Sequence, residues 1–174
     1  MSDKDSQLGI RVVRWARNKL RKRVGRGECW DLADQALRAA GAQSSEPTGK
    51  RDEDYVWGKE ISLLKVQPGD ILQFRSYVAK ADYVFPSGAD GFDTLSRGSP
   101  NHTAIVGKIV QPGLVYVFEQ NIQKSPVQRT LLYLRSGEFS CTGAPKFEGE
   151  EPKTCKATVK GTIRAYRPVA RRKR

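Results

Sequence analysis

The sequence predicts an α+β domain, and three observations lead there. Two amphipathic segments open the chain, stretches of strand character divided by turn signals follow them, and strand and helix patterns never alternate as a parallel βαβ fold requires. With 174 residues, 38% of them apolar and 9% aromatic, the chain has material for one hydrophobic core of ordinary size. Residues 1–170 therefore read as a single domain, followed by a basic tail at 171–174.

From Leu8 to Val24 the apolar residues Leu8, Val12, Trp15, Ala16 and Leu20 recur three and four apart, the repeat of one helix face. Gly25 and Gly27 interrupt it. The pattern resumes over Glu28 to Ala40 with Cys29, Leu32, Ala33, Ala36, Leu37 and Ala40, and Gly41 closes this second helix as a C-terminal cap. Ala42 to Asp54, rich in Ser, Pro, Gly and charge, reads as a surface loop. Pro68-Gly69-Asp70 is a turn and Ile71 to Phe74 a strand. Arg75 to Asn101 spreads Tyr77, Tyr83, Phe85 and Phe92 among Gly, Ser and Pro, which predicts a long aromatic-bearing loop at the rim of a binding site. Thr103 to Val110 and Leu114 to Glu119 are strands joined by a hairpin turn at Gln111-Pro112-Gly113. Arg129 to Leu134 and Ala157 to Tyr166 complete the set of strands, separated by a Gly- and Pro-rich region that carries Cys141 and Cys155. Helices first and consecutive antiparallel strands afterwards is the α+β order.

The 31 Lys and Arg residues exceed the 19 Asp and Glu residues by a formal +12, and the excess is localised. Arg11, Arg14, Arg17, Lys19, Arg21, Lys22, Arg23 and Arg26 stand with no acid among them, and four more cations close the chain; the remainder balances at 19 against 19. A solvated helix face fits such a run, and so does a contact for an anionic polymer or membrane surface. No zinc-finger spacing or aromatic RNA-binding motif accompanies it, so no specific nucleic-acid motif is present. The tail Arg171-Arg172-Lys173-Arg174 reads equally as a nuclear signal, a polybasic contact or a frayed end. No apolar run approaches the ~18 residues of a membrane span. Met1 to Gln7 is polar and lacks the basic start and apolar stretch of a secretory signal, so the default expectation is a cytoplasmic protein, with export only by a non-classical route.

Cys29, Cys141 and Cys155 are too few for a disulfide scaffold, and a reducing compartment is the default; Cys141 and Cys155 would bridge only in an oxidising milieu. No C-x-x-C pair, with a single histidine in the chain, means no expected metal site, and nothing points to a nucleotide or flavin cofactor. Cys29 opens the second helix, where the positive end of the helix dipole and unpaired N–H groups favour thiolate. A buried structural cysteine is the competing reading. His102 opens the strand His102-Thr103-Ala104-Ile105-Val106 after a Pro100-Asn101 turn, a placement that predicts a ring at the sheet's rim. On the next strand, alternation puts Val117, Glu119 and Asn121 on one face. The hairpin would return that end beside His102, where a carboxylate or an amide can orient the imidazole.

These segments, taken in order, resemble the compact papain-like amidases and peptidases of the CHAP and NlpC kind. The likeness rests on Gly-x-Cys-Trp opening a helix, Pro-Gly-Asp-Ile before a strand, His-Thr-Ala-Ile-Val, and Glu-x-Asn ending the next strand, from about Gly25 to Asn121. Gly27-Glu28-Cys29-Trp30-Asp31-Leu32-Ala33, Tyr55-Val56-Trp57-Gly58 and Tyr166-Arg167-Pro168-Val169 are also similar to the cysteine-proteinase-fold domain at the C-terminus of fungal actin-patch SH3 adaptors and of uncharacterised bacterial proteins. The resemblance implies a papain-like fold, N-terminal helices on an antiparallel sheet. It also implies Cys29 as nucleophile, His102 as its base, and Glu119 and Asn121 as the residues orienting the imidazole. A cysteine amidase or peptidase working through a thioester on a peptide or peptidoglycan-like substrate follows from it. The alternative is a papain-fold binding module without turnover, whose working surfaces would be the cationic helix and the aromatic loop. Papain has Gln six residues before its nucleophile as an oxyanion donor, whereas Arg23 holds that offset here.

Overall fold

The computed structural model describes residues 3–45 and 55–171. In chain order the elements are helices α1 (Asp3–Arg17) and α2 (Cys29–Ala40) and strands β1 (Lys59–Ile61), β2 (Ile71–Val84), β3 (Asp90–Gln111), β4 (Leu114–Glu119), β5 (Gln128–Tyr133), β6 (Gly137–Phe139) and β7 (Thr154–Arg167), with one 3-10 turn at Leu63–Lys65. The strands form a single seven-stranded antiparallel sheet in the order β1-β7-β2-β3-β4-β5, and β6 pairs with β7. The class is α+β, two helices on a half-barrel, compatible with a papain-like fold.

Period-two alternation along the strands divides the apolar residues between two cores. Leu72, Phe74, Ala104, Val106 and Val117 pack on the concave side with Tyr77, Leu132 and Tyr133. Ile71, Ile105 and Phe118 face the other way, against Leu8, Val12 and Ala16 of α1 and Leu32, Ala36 and Leu37 of α2. Complete burial of a leucine such as Leu32 or Leu37 contributes about 2 kcal/mol, so the second core holds the helices on the sheet. The sheet curls far enough that the Tyr77 phenol of β2 donates to the Tyr133 carbonyl of β5 at 2.9 Å. A close backbone approach seats α1: a Cβ on either Gly9 or Gly69 would collide with the other segment's backbone, and Gly69 also holds φ +93.

Several expectations need correction. The first helix ends at Arg17, well short of Val24. Tertiary hydrogen bonds stop it: Arg21 turns left-handed (φ 64), its N–H donates to the Val127 carbonyl at 2.8 Å, and the Val127 N–H donates to Lys22 at 3.0 Å. Residues 75–101 are no loop. β2 runs on to Val84, and β3 starts at Asp90, forming one long hairpin. Tyr77, Ala79, Ala81 and Tyr83 are buried at every second position while residues between them are half-buried or exposed. That one-sided burial dilutes the apolar signal that marks a central strand. Of the expected loop from Ala42 to Asp54, Ala42 bridges to Ala170, and residues 46–54 lie outside the described residues. In the tail only Arg171 is described, with its N–H on the Gly41 carbonyl at 3.0 Å; residues 172–174 lie outside the described residues. Cys141 and Cys155 are joined as a disulfide.

Candidate active site

The site begins where β4 ends. The ladder between β3 and β4 finishes at the pair Ile105–Phe118, and the chain after Glu119 leaves the sheet. Gln120, fully buried, then clamps the segment ahead of α2: its Oε1 accepts from the Val24 N–H at 3.1 Å, and its Nε2 donates to the carbonyls of Val24 at 3.0 Å and Glu28 at 2.6 Å. Glu28 is the N-cap of α2. Its carboxylate takes the Asp31 N–H, while the Asp31 carboxylate accepts the Glu28 N–H at 3.3 Å, a reciprocal capping box. Cys29, the first residue of α2, is thereby set against the end of β4 and the buried edge of β3 that β4 leaves unpaired, where the Thr103 N–H reaches its sulfur.

His102 lies within β3 opposite Phe74 of β2, and the residue is 4% exposed, a buried position and not the rim of the sheet. Its backbone is fixed by Gln73, whose Nε2 donates to the His102 carbonyl at 3.2 Å. The Gln73 Oε1 accepts from Trp57 Nε1 at 2.9 Å and from the Thr103 hydroxyl at 3.0 Å, so every polar atom of this buried group is matched. His102 Nε2 stands 3.0 Å from Glu119 Oε2. The ring also hydrogen-bonds Cys29, and with Nε2 engaged by Glu119, Nδ1 is the nitrogen left for the thiol. Glu119 is fully buried, and Arg97 grips it with two parallel bonds, Nε to Oε2 at 2.8 Å and Nη2 to Oε1 at 2.6 Å. Beside this chain of groups is a cavity of about 830 Å³ whose walls include Cys29, His102, Thr94, Ser96, Asn121 and Thr130.

A thiol, an imidazole and an acid are thus linked at the cavity wall, and the sequence comparison shows the family of the fold. The family described as the AIM3/BBC1 cysteine proteinase-fold domain matches residues 1–173. The chain belongs to that family. The chain is also similar to the altered inheritance of mitochondria protein 3 of Debaryomyces hansenii, 32% identical over 131 residues. The alignment covers 67% of this chain and 13% of that relative, so the domain corresponds to a small part of the longer protein. No solved structure matches the chain.

Electrostatics at this site shift the thiol toward thiolate and the imidazole toward imidazolium. Burial by itself pushes the Cys29 thiol up, but the hydrogen bond and charge of His102 and the N–H groups of Thr103 and Trp30 outweigh it, and the thiol falls below its ordinary value. Burial by itself lowers the imidazole; the bonds to Cys29 and Glu119 and their negative charges reverse this, and His102 lies above its usual value. Glu119 is drawn down to about 2 by His102 and Arg97 despite burial, so it stays ionised at neutral pH. Among the described residues no three His, Cys, Asp or Glu side chains are grouped to hold a metal ion.

Of the four residues singled out from sequence, Cys29, His102 and Glu119 form one connected chain, and Asn121 stands apart from it. Alternation stops at Glu119: Asn121 adopts φ 68, and its Nδ2 donates to the Glu28 carboxylate at 2.8 Å, not to His102. It lines the cavity from the capping acid's side. Arg23 does not line the cavity; its guanidinium lies over Gly27 at the surface, so it supplies no second oxyanion donor. The N–H of Cys29, at the first position of α2, has no acceptor within the helix and is one donor. Three residues of the site went unread in the sequence: Arg97, Gln120 and Gln73. Gln73 and Gln120 carried a signal, since an amide inside an apolar strand run must find partners when buried. Arg97 carried none, being one cation among 31 in a stretch that reads as loop.

Proposed function

We propose that this domain is a cysteine amidase or peptidase, related in mechanism to the compact papain-like enzymes of the CHAP and NlpC kind. The observation that carries the proposal is the unbroken hydrogen-bonded chain Cys29–His102–Glu119–Arg97 at the wall of a cavity large enough for a peptide. The Cys29 thiolate attacks the carbonyl carbon of an amide, forming a C–S bond, and the developing oxyanion meets the Cys29 N–H. His102 gives its proton to the leaving nitrogen as the C–N bond breaks, which leaves a thioester and a neutral imidazole. The imidazole then takes a proton from water, hydroxide adds to the thioester carbon, and the carboxylic product leaves with thiolate restored. Glu119 holds the ring in the orientation that serves both steps, Arg97 holds Glu119 ionised, and Asn121 steadies the Glu28 cap ahead of the nucleophile. A peptide or peptidoglycan-like amide is the substrate class. The test is intact-mass detection of an acyl adduct on Cys29 after incubation with p-nitrophenyl esters, with a peptide aldehyde as a competitor that forms a reversible hemithioacetal on the same sulfur. Adduct formation with turnover, both lost in Cys29→Ala, is the expected result. Quantitative alkylation of Cys29 with no acyl adduct and no ester turnover would mark a binding module instead.

A further inference from the structure

The nucleophile hangs from the most cationic stretch of the chain, residues 11–26, which contain eight basic residues and no acid. Arg21, Lys22 and Arg23 are exposed, and among the described residues none of them has a carboxylate partner; Arg26 alone is paired, to Asp31 at 3.4 Å. The turn that carries them is fixed at one end to Val127, beside a cavity wall, and at the other to Glu28, which lines the cavity. Backbone bonds tie Arg21 and Lys22 to Val127, the neighbour of cavity-lining Gln128, and Gln120 ties Val24 to Glu28, the neighbour of Cys29. The Arg23 guanidinium lies against Gly27, two residues before the nucleophile. Lys124 is exposed on the loop beyond β4, beside cavity-lining Gln123.

Inside the cavity the Arg97 guanidinium is matched, whereas the Glu28 carboxylate, bonded only to neutral donors, remains a formal anion. Arg97 is neutralised by Glu119, and the Glu28 carboxylate accepts from Asn121 and the Asp31 N–H. The other polar walls, Thr94, Ser96, Gln128 and Thr130 among them, are neutral hydrogen-bonding groups suited to a peptide backbone. Among the described residues lining the cavity there is no Phe, Tyr or Trp, so no platform exists for stacking a nucleobase. A polar floor with Glu28 as the one carboxylate among its described lining residues, beneath a positive rim, selects on the charge of what flanks the bond attacked.

We infer that residues 21–23 and Lys124 form a recruitment rim for an acidic polypeptide, which presents an amide to Cys29 while its Asp or Glu side chains meet the rim. This rests on the reading of Cys29 as an acyl-transfer nucleophile and specifies the substrate class of that site. The experiment compares alkylation of Cys29 in the whole domain by iodoacetate, an anion, and by iodoacetamide, its neutral counterpart. The iodoacetate-to-iodoacetamide rate ratio is expected to fall at least about threefold in the charge-reversed variant R21E/K22E/R23E, and likewise in wild type on raising NaCl to ~0.5 M. A blocked Glu-rich peptide should slow iodoacetamide labelling of wild type at low salt, while a Lys-rich peptide of the same length and a short oligothymidylate should not. The salt arm needs no variant, so a folding defect in the triple mutant leaves the question open to measurement. A ratio indifferent to both salt and charge reversal overturns the rim, as does equal protection by the Lys-rich peptide. Protection by oligothymidylate equal to that by the Glu-rich peptide overturns the polypeptide assignment in favour of polyanions at large. Failure of the nucleophile reading looks different, because iodoacetamide itself would then label Cys29 only at the pH of an ordinary thiol.

Discussion

Arg97 holds both carboxylate oxygens of Glu119, at 2.8 and 2.6 Å, in a fork that is 5% exposed on one side and fully buried on the other. Because the same carboxylate stands 3.0 Å from His102, the arginine acts on the imidazole only through Glu119. It keeps the acid ionised, fixes its plane, and tempers the negative charge that the ring sees.

Replacing Arg97 by Gln leaves Glu119 buried with the imidazole as its main partner. Loss of one member of such a pair costs about 3–5 kcal/mol, and urea unfolding at pH 7 should show it. Arg97→Lys keeps the charge but not the fork, and should fall between wild type and Arg97→Gln. A merely structural role would leave the pH profile of Cys29 alkylation unmoved in Arg97→Lys; a positioning role predicts a displaced midpoint at unchanged fold.

Acid sensitivity follows from Glu119 itself. Its folded value of about 2 lies below that of an unfolded glutamate, so the stability it contributes is present above the unfolded value and disappears as pH falls through the folded one. The difference corresponds to about 3 kcal/mol, lost between roughly pH 5 and pH 2. Chemical denaturation across that window should show the loss in wild type and a flatter dependence in Glu119→Gln.

Cys29 is held below the ordinary thiol range by His102 against the opposing effect of burial. In wild type, iodoacetamide should therefore modify it at lower pH than a free thiol, and in His102→Ala the remaining burial should push the thiol up, move the labelling profile to higher pH and slow the rate at neutral pH. An unchanged rate would falsify the pairing of thiolate with imidazolium.

Gln120→Leu removes three hydrogen bonds to Val24 and Glu28 and leaves buried backbone groups without partners. The expected cost is about 1–3 kcal/mol by thermal or urea unfolding. Since Gln120 is the clamp that sets α2 against β4, the alkylation rate of Cys29 should drop as well, and wild-type reactivity in this variant would show that the clamp does not position the nucleophile.

The disulfide between Cys141 and Cys155 closes a short loop, the two residues being 14 apart in sequence, onto β7. Cys141→Ser, or reduction of the wild type, should lower stability by about 3 kcal/mol on the loop-entropy account, with Cys29 reactivity kept. Non-reducing peptide mapping identifies the bridged pair directly.

Local pattern by itself determined a good deal here: α2 with its Gly41 cap, the hairpin of β3 and β4 across Pro112 and Gly113, the strands β5 and β7, and the candidacy of Cys29, His102 and Glu119. Each of these is written in neighbouring residues, through helical or two-residue periodicity, a turn dipeptide, or a rare chemical type at an element's end. Tertiary structure decided the rest. The early stop of α1 comes from Val127, far along the chain from Arg21 but hydrogen-bonded to it in the fold. The extension of β2 and β3 through residues 75–101 depends on lateral hydrogen bonds to β7 and on burial of one face alone, which no short window displays. Asn121 left the imidazole because a left-handed residue ended the alternation, and Arg97 joined it because a strand, not a loop, carried it to Glu119. Sequence spacing reports forces that act within a few residues. Which charged groups meet in a buried site is settled by sheet register and by the desolvation of ions that must then find one another.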